Sequence, residues 1–413
     1  MATGFEFWDY FVFISYAIII LAIGLWVSRS KDGKEKSAED YFLAGKSLPW
    51  WTIGASLIAA NISAEQFIAM NGSGFAAGLA IASYEWMAAI TLLVVGKYFL
   101  PIFIEKGLYT IPEFIEKRFS ANLKTILAVF WIGLFVFVNL TTVLFLGAKA
   151  LDIVIGTGDG SLLFGSIIGL GLFAAAYSLW GGLAAVAWTD VIQVILLIFG
   201  GLMMTYFALS NVTESGSFID GMVHVYNTVP ERFSMILSKG EIFTPNGKDA
   251  WWDLPGLAVL VGGIWVANLY YWGFNQYIIQ RTLAAKSLRE GQKGLVFAAL
   301  VAAIVSSLAS MTNSISTIFT MDIYTRFKPN ESQRHYVHIG RIAALVSLCI
   351  ALIVAEPLLG KFDQAFQYIQ EFTGFFTPGI VVIFVMGMFW KRATSMGALS
   401  AALGSAVFSL VLK

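Results

Sequence analysis

The chain has 413 residues, 58% of them hydrophobic and 13% charged, and its basic and acidic side chains balance to a net charge of zero. This composition excludes a soluble enzyme of ordinary make-up, and the neutral balance implies no nucleic-acid or acidic partner. A bilayer span needs roughly 20 mainly apolar residues. About eleven stretches meet or approach that length: 9–28, 50–72, 79–104, 123–148, 161–179, 184–208, 254–276, 294–322, 337–356, 363–390 and 394–412. The expected class is an all-α, multi-pass integral membrane protein, a single polytopic domain over 1–413 whose partner along most of its surface is the lipid bilayer.

Trp8 and Trp26 bracket the stretch 9–28, as interfacial aromatic anchors do. The leading MATGFEFWDY has no basic region, and no cleaved signal peptide is expected. Arg29, Lys31, Lys34, Lys36 and Lys46 place the next loop in the cytoplasm and the N-terminus outside. Two crossings later Lys97, Lys106, Lys117, Arg118 and Lys124 fall inside again. The stretch 209–253 falls outside and is net acidic, which agrees. The seventh stretch returns the chain to Arg281, Lys286, Arg289 and Lys293.

There the alternation breaks. One apolar stretch, 294–322, separates that basic loop from the next, which holds Arg326, Lys328, Arg334 and Arg341. Both belong inside, and Lys391 with Arg392 is then stranded outside. Either a span is missing between the seventh stretch and this one, or 294–322 is a tilted or re-entrant helix.

The second stretch carries SLIAANISAEQF, with Asn61, Ser63, Glu65 and Gln66 near mid-membrane. Such a run is either a polar face packed on other helices or a broken helix whose freed carbonyls face a cation or substrate. Asn61 and Ser63 favour local bonds that compete with the helix ladder. Glu65 and Gln66 are costly in hydrocarbon and need water or partners. The seventh stretch echoes this: Ala60-Asn61-Ile62 matches Ala267-Asn268-Leu269. Two interrupted segments five crossings apart point to an inverted-repeat transporter, with a second break expected near Asn268. In VAAIVSSLASMTNS, Ser306 and Ser307 can bond their own backbone, or can offer hard oxygens to a cation such as sodium. Glu85 is either functional or a bond to a neighbouring helix; Asp190 is either functional or the cap of the sixth stretch. Lys149 is expected to snorkel.

EDYFLAGKSLPWW, GASLIAANISAEQF, SYEWM, VGKYFLPIFIEKG, WTDVIQV, GGIWVANLYYWGFNQYIIQRTLAAK, SSLASMTNS, FTMDIY and FQYIQEFTG resemble the sodium/solute symporter family along nearly the whole chain, most nearly its bacterial sodium/galactose branch. The resemblance implies a leucine-transporter-like inverted repeat: an extra helix at 9–28, a first repeat over 50–208, an extracellular loop at 209–253, a second repeat over 254–390 and an additional helix at 394–412. It implies transport rather than catalysis: sodium-coupled symport of a galactose- or glucose-like monosaccharide by alternating access across the cytoplasmic membrane. The implied sugar site is Gln66, Glu85, Asn268 and Gln370, with Tyr271 capping the sugar from within and bonding Asn61. The implied sodium site is the carbonyls of Ala59, Ile62 and Ala303 with the hydroxyls of Ser306 and Ser307, and Asp190 lies on the path of the released ion.

The sequence also departs from that family. A span and a long external loop expected after the seventh stretch are absent, and QKGLVFAALVAAIVSS reads as a fusion across the gap, near 294–303. A sugar-binding lysine expected there is missing, Phe135 and Ala88 stand for a tyrosine and a serine, and closing helices are expected beyond Lys413. Two alternatives to sodium/sugar symport therefore stay open: a transport-incompetent or sugar-responsive variant, and symport of another small organic solute.

Overall fold

The computed structural model describes residues 6–29, 36–62, 66, 70–156, 158–301, 317–359, 370 and 372–412. Six of its helices are long and apolar enough to cross a membrane, among them α1 (Phe7–Val27), which packs through Gly24 against Tyr177.

The helix α2 (Trp50–Asn61) starts after Pro49, and every residue from Thr52 to Asn61 is buried. A helix with no polar stripe is a core helix, and this one sits at the centre of the bundle. It stops where Ile62 turns to extended backbone, φ −96° and ψ 120°. The predicted interruption of the second stretch is therefore present. The long helices α3 (Asn71–Glu105) and α4 (Ala121–Ile155) follow. A π-helical turn at Phe135–Leu140 offsets the register of α4.

The stretches 161–179 and 184–208 form the two limbs of α5 (Leu163–Ser210), which meet at Gly182 with φ 64°. A Cβ there would lie 2.3 Å from the Tyr41 carbonyl oxygen, so only glycine fits both the dihedral and the contact. Lys36 Nζ donates to the carbonyls of Trp180 and Gly181, and Tyr41 OH to that of Leu179. The first basic loop and this turn thus share one face. On the opposite face the acidic stretch 209–253 holds a helix, Phe218–Thr228. From this stretch Leu237, Ile242 and Ala250, with Leu254 just beyond it, pack on Ala77, Ala80 and Ile81 at the start of α3.

The seventh stretch is α6 (Val259–Phe274) followed by α7 (Gln276–Leu283). The expected second break is real but displaced. Asn268 is helical, and its side chain donates to the Ile264 carbonyl at 3.1 Å. The chain opens instead at Asn275, φ −84° and ψ 120°, close to the backbone of Ile62. A self-bonded asparagine supports its own helix, whereas Asn275 makes no such bond. From its break α7 descends to the basic face, where Leu48 N donates to Ala284 O and Lys286 N to Leu48 O. The helix α2 rises from that face to its own break. Two interrupted segments running in opposite directions are what an inverted repeat produces.

The helix α8 (Leu288–Val301) rises beside α2. Glu290 accepts from Trp50 N at 2.8 Å, and a Cβ on Gly54 would lie 2.3 Å from the Phe297 ring. Small residues let the two backbones close up, as membrane interfaces favour. The chain between 317 and 327 then returns to the basic face. Thr317 accepts from Gln280, Thr110 donates to Asp322 at 2.8 Å, and Arg326 donates to Asn122 and Thr125. Gln333 at the start of α9 (Gln333–Leu359) accepts from Ala38 N. Arg118 donates to the carbonyls of Gly387, Trp390 and Lys391, between α10 (Thr377–Phe389) and α11 (Ser395–Leu412).

The loops before α8 and after 327 lie on one face, and Lys391 is on that face rather than stranded; the chain from 302 to 316 between them lies outside the described residues. In a background with Cys349→Ser, Lys286→Cys and Lys328→Cys are expected to react with a membrane-impermeant maleimide from one side of sealed vesicles, and Ser215→Cys from the other. Labelling of the two lysine positions from opposite sides would contradict this fold.

Candidate functional site

The two breaks meet, and a cavity opens beside them. Asn61, the last helical residue of α2, reaches α3 and donates from Nδ2 to Glu85 Oε2 at 3.3 Å. The cavity is lined by all six residues expected to bind substrate: Asn61, Gln66, Glu85, Asn268, Tyr271 and Gln370. They come from four regions far apart in sequence. Glu85 thus pairs with a neighbouring helix, as one alternative had it, and also lines the cavity. Asn268 spends one amide N–H on its own helix, which leaves a second N–H and the Oδ1 acceptor for the cavity. The Tyr271 ring packs edge-on against Trp272 and Tyr277, and Tyr84, Tyr270 and Trp272 complete an aromatic wall. Flat apolar faces with a few convergent polar atoms suit a small, neutral, polyhydroxylated ligand.

Four polar lining residues were not anticipated: Asn139, Asn275, Thr373 and Thr377. Asn139 stands alone in an apolar span, and the π-helical turn that aims it cannot be read from hydrophobic period. Such turns often mark functional positions. Asn139 Oδ1, Asn275 Oδ1 and Thr373 Oγ1 are buried and find no hydrogen-bond partner among the described residues. Of the two departures from the family pattern, Ala88 lies in the cavity wall, where it offers no hydroxyl. Phe135 is fully buried and packs edge-on against Tyr277.

For the cation, the structure places part of the expected set. Ala59 is in the last turn of α2 and Ile62 is the extended residue beyond it. A helix end leaves its last carbonyls without intrahelical donors, so neutral oxygens collect there. Ala303, Ser306 and Ser307 lie outside the described residues, as do Ser63 and Glu65. Among the described residues no three His, Cys, Asp or Glu side chains gather, so none of them form a cluster suited to a transition metal.

Asp190 is not a helix cap, and in this structure it is buried. It sits inside the second limb of α5, and its carboxylate meets the Arg281 guanidinium of α7 at 3.4 Å. Ser56 of α2 donates to the same carboxylate oxygen, while Arg281 Nε donates to Ser56 O at 3.0 Å and Oγ at 2.6 Å. Arg281 also donates to the Tyr277 carbonyl. Arg281 is 0% exposed and Asp190 3%. Three elements, α2, α5 and α7, are thus fastened together between the cavity and the basic face. Sequence reasoning used Arg281 only as a marker of orientation.

The profile of the sodium:solute symporter family matches residues 41–294 and again 283–404. A sodium/glucose cotransporter of Vibrio parahaemolyticus is 52% identical over 477 aligned positions, covering 99% of this chain and 86% of that protein. Sodium/glucose cotransporter 1 of Ovis aries is 29% identical over 94% of this chain and 69% of its own length, and sodium/myo-inositol cotransporter 2 of Bos taurus 30% over 94% and 67%. Among solved structures, a Na+-coupled sialic acid symporter in a substrate-bound outward-open state superposes with a TM-score of 0.74 at 20% identity, over 99% of this chain and 98% of that one. At that identity the likeness concerns the fold. The alignment with the Vibrio protein is longer than the chain's 413 residues, so part of that protein faces a gap here. The two profile matches meet at 283–294, the place where charge alternation failed.

Proposed function

This chain belongs to the sodium:solute symporter family, and from that premise we propose that it binds a galactose- or glucose-like monosaccharide in the cavity beside the two breaks and moves it with sodium across the cytoplasmic membrane, N-terminus outside. The observation that carries this reading is the convergence of Asn61, Gln66, Glu85, Asn268, Tyr271 and Gln370 on one cavity. Their amides and carboxylate pair with sugar hydroxyls, and the aromatic wall takes the apolar ring face. Sodium, held by the carbonyls of Ala59 and Ile62 and by the segment containing Ala303, Ser306 and Ser307, stabilises the opened end of α2. The residue after Asn61 is Ile62, so an ion that fixes this backbone also fixes one wall of the sugar site. Each ligand then tightens the other reciprocally. One sodium ion crossing about 100 mV releases roughly 2.3 kcal/mol, and a tenfold gradient adds about 1.4 kcal/mol. The sum concentrates a neutral sugar a few hundredfold.

The gap supports a second reading. The chain near 294–303 reads as a fusion across a span and loop that the family pattern carries, and the 477-position alignment with the Vibrio protein agrees with such a gap. A chain that binds sugar but has lost coupled transport follows from that. Purified protein in liposomes decides between the readings: symport gives galactose accumulation that collapses without an inward sodium gradient. Galactose binding with no uptake, or uptake indifferent to sodium, rejects symport. Competition by amino acids but not sugars replaces the monosaccharide by another small solute.

A further inference from the structure

Asn275 occupies a position whose ordinary local duty it does not perform. As the residue before α7 it is placed as an N-cap, and an asparagine there normally accepts from a backbone N–H two or three residues on. Here its carbonyl accepts from Ile278 N and Ile279 N at 3.2 and 3.0 Å, but its side chain makes no cap bond. The residue is 2% exposed, lines the cavity, and its Oδ1 has no partner among the described residues. A buried acceptor left unpaired is costly, and natural structures keep few. It is retained where something supplies the missing donor.

What hangs from Asn275 gives the position its consequence. All eight residues of α7 are buried, so the helix moves as a unit or not at all. Six residues beyond Asn275, Arg281 joins α7 to Asp190 and Ser56. The extended backbone at Asn275 separates α7 from α6.

We propose that Asn275 is a substrate-reading hinge residue: its Oδ1 accepts a hydrogen bond from a hydroxyl of the cavity ligand, and that bond sets the angle of α7 and with it the Arg281–Asp190 closure. The inference rests on the reading of the cavity as a site for a polyhydroxylated solute. It makes Asn275 a determinant of specificity at the inner end of the cavity, remote in sequence from Glu85 and Gln66.

The test uses the full chain in detergent, with Asn275→Leu removing the acceptor and Asn275→Asp keeping one. The probes are D-galactose, its monodeoxy analogues and myo-inositol, with melting of the unliganded protein as the check on folding. Asn275→Leu is expected to weaken galactose about tenfold. It should leave one deoxygalactose within about twofold of its wild-type affinity, because that analogue lacks the donor Asn275 reads. Asn275→Asp should retain galactose within about threefold. On a Cys349→Ser background, galactose should slow modification of Thr282→Cys from the basic face, and should no longer do so with Asn275→Leu. An equal loss for galactose and every deoxy analogue, or no loss, overturns the inference. If galactose fails to bind but myo-inositol binds with the same dependence on Asn275, the monosaccharide reading fails and the hinge stands; if no probe binds, both fall.

Discussion

Arg281→Met is expected to cost the folded chain about 3–5 kcal/mol, because it leaves the Asp190 carboxylate buried without its cation. Asp190 is 3% exposed and keeps only the Ser56 hydroxyl when the guanidinium is gone. The same change also removes the hydrogen bonds that Arg281 donates to the Ser56 and Tyr277 carbonyls. The double variant Asp190→Asn with Arg281→Met separates the two contributions. Replacing a buried ion pair by neutral groups of similar volume is often close to neutral, so the double variant should recover most of the loss in melting temperature. If it melts as low as Arg281→Met alone, the lost carbonyl bonds and packing dominate and the charge pair does not.

The position of that pair gives it a role beyond stability. The helices α2 and α7 are the basic-face halves of the two interrupted segments, and α5 braces them both. On the proposed transport reading, a solute or ion leaving the cavity toward the basic face would have to part α2 from α7, which Arg281 links through Ser56. Such opening would be opposed by a desolvated pair together with its hydrogen bonds. The expected place of Asp190 on an ion's path would then require that pair to break.

The legible parts of the fold were those with a period or a charge attached. Apolar length located the long helices, and the clustering of Asn61, Ser63, Glu65 and Gln66 located the end of α2, because polar side chains in hydrocarbon need a reason. The second break was misplaced by seven residues, from Asn268 to Asn275. Type does not separate the two asparagines; what does is that one side chain bonds its own helix at Ile264 and the other makes no cap bond. The charge conflict after Lys293 was a true signal with two readings: the contacts of Lys286 and Arg326 put both loops on one face, and the longer alignment with the Vibrio protein agrees with a missing span. Arg281 stayed hidden as a site residue because basic residues at a helix end were already accounted for by orientation. Asn139 stayed hidden because nothing in a sequence announces one turn of π-helix.

Glu85→Ala is expected to weaken galactose by about 1.5–3 kcal/mol, roughly 10- to 150-fold, the range for losing a hydrogen bond to a charged group. Glu85 lines the cavity and accepts from Asn61 Nδ2 at 3.3 Å, so on the proposed reading its carboxylate both binds the ligand and holds the last residue of α2 in place. Those two duties predict different signatures. Loss of the ligand bond lowers galactose affinity at saturating sodium. Release of Asn61 loosens the backbone at Ile62 and lowers sodium affinity even without sugar. Glu85→Gln keeps an acceptor for Asn61 and loses only the charge, so it should fall between wild type and Glu85→Ala for galactose while leaving sodium nearly unchanged. Isothermal titration of each ligand with and without the other measures both effects and the coupling between them. If the reading is right, galactose and sodium each raise the other's affinity by the same factor in the wild-type chain, and that factor shrinks toward one in Glu85→Ala. A coupling factor unchanged by Glu85→Ala would remove the carboxylate from the link between the α2 break and the cavity.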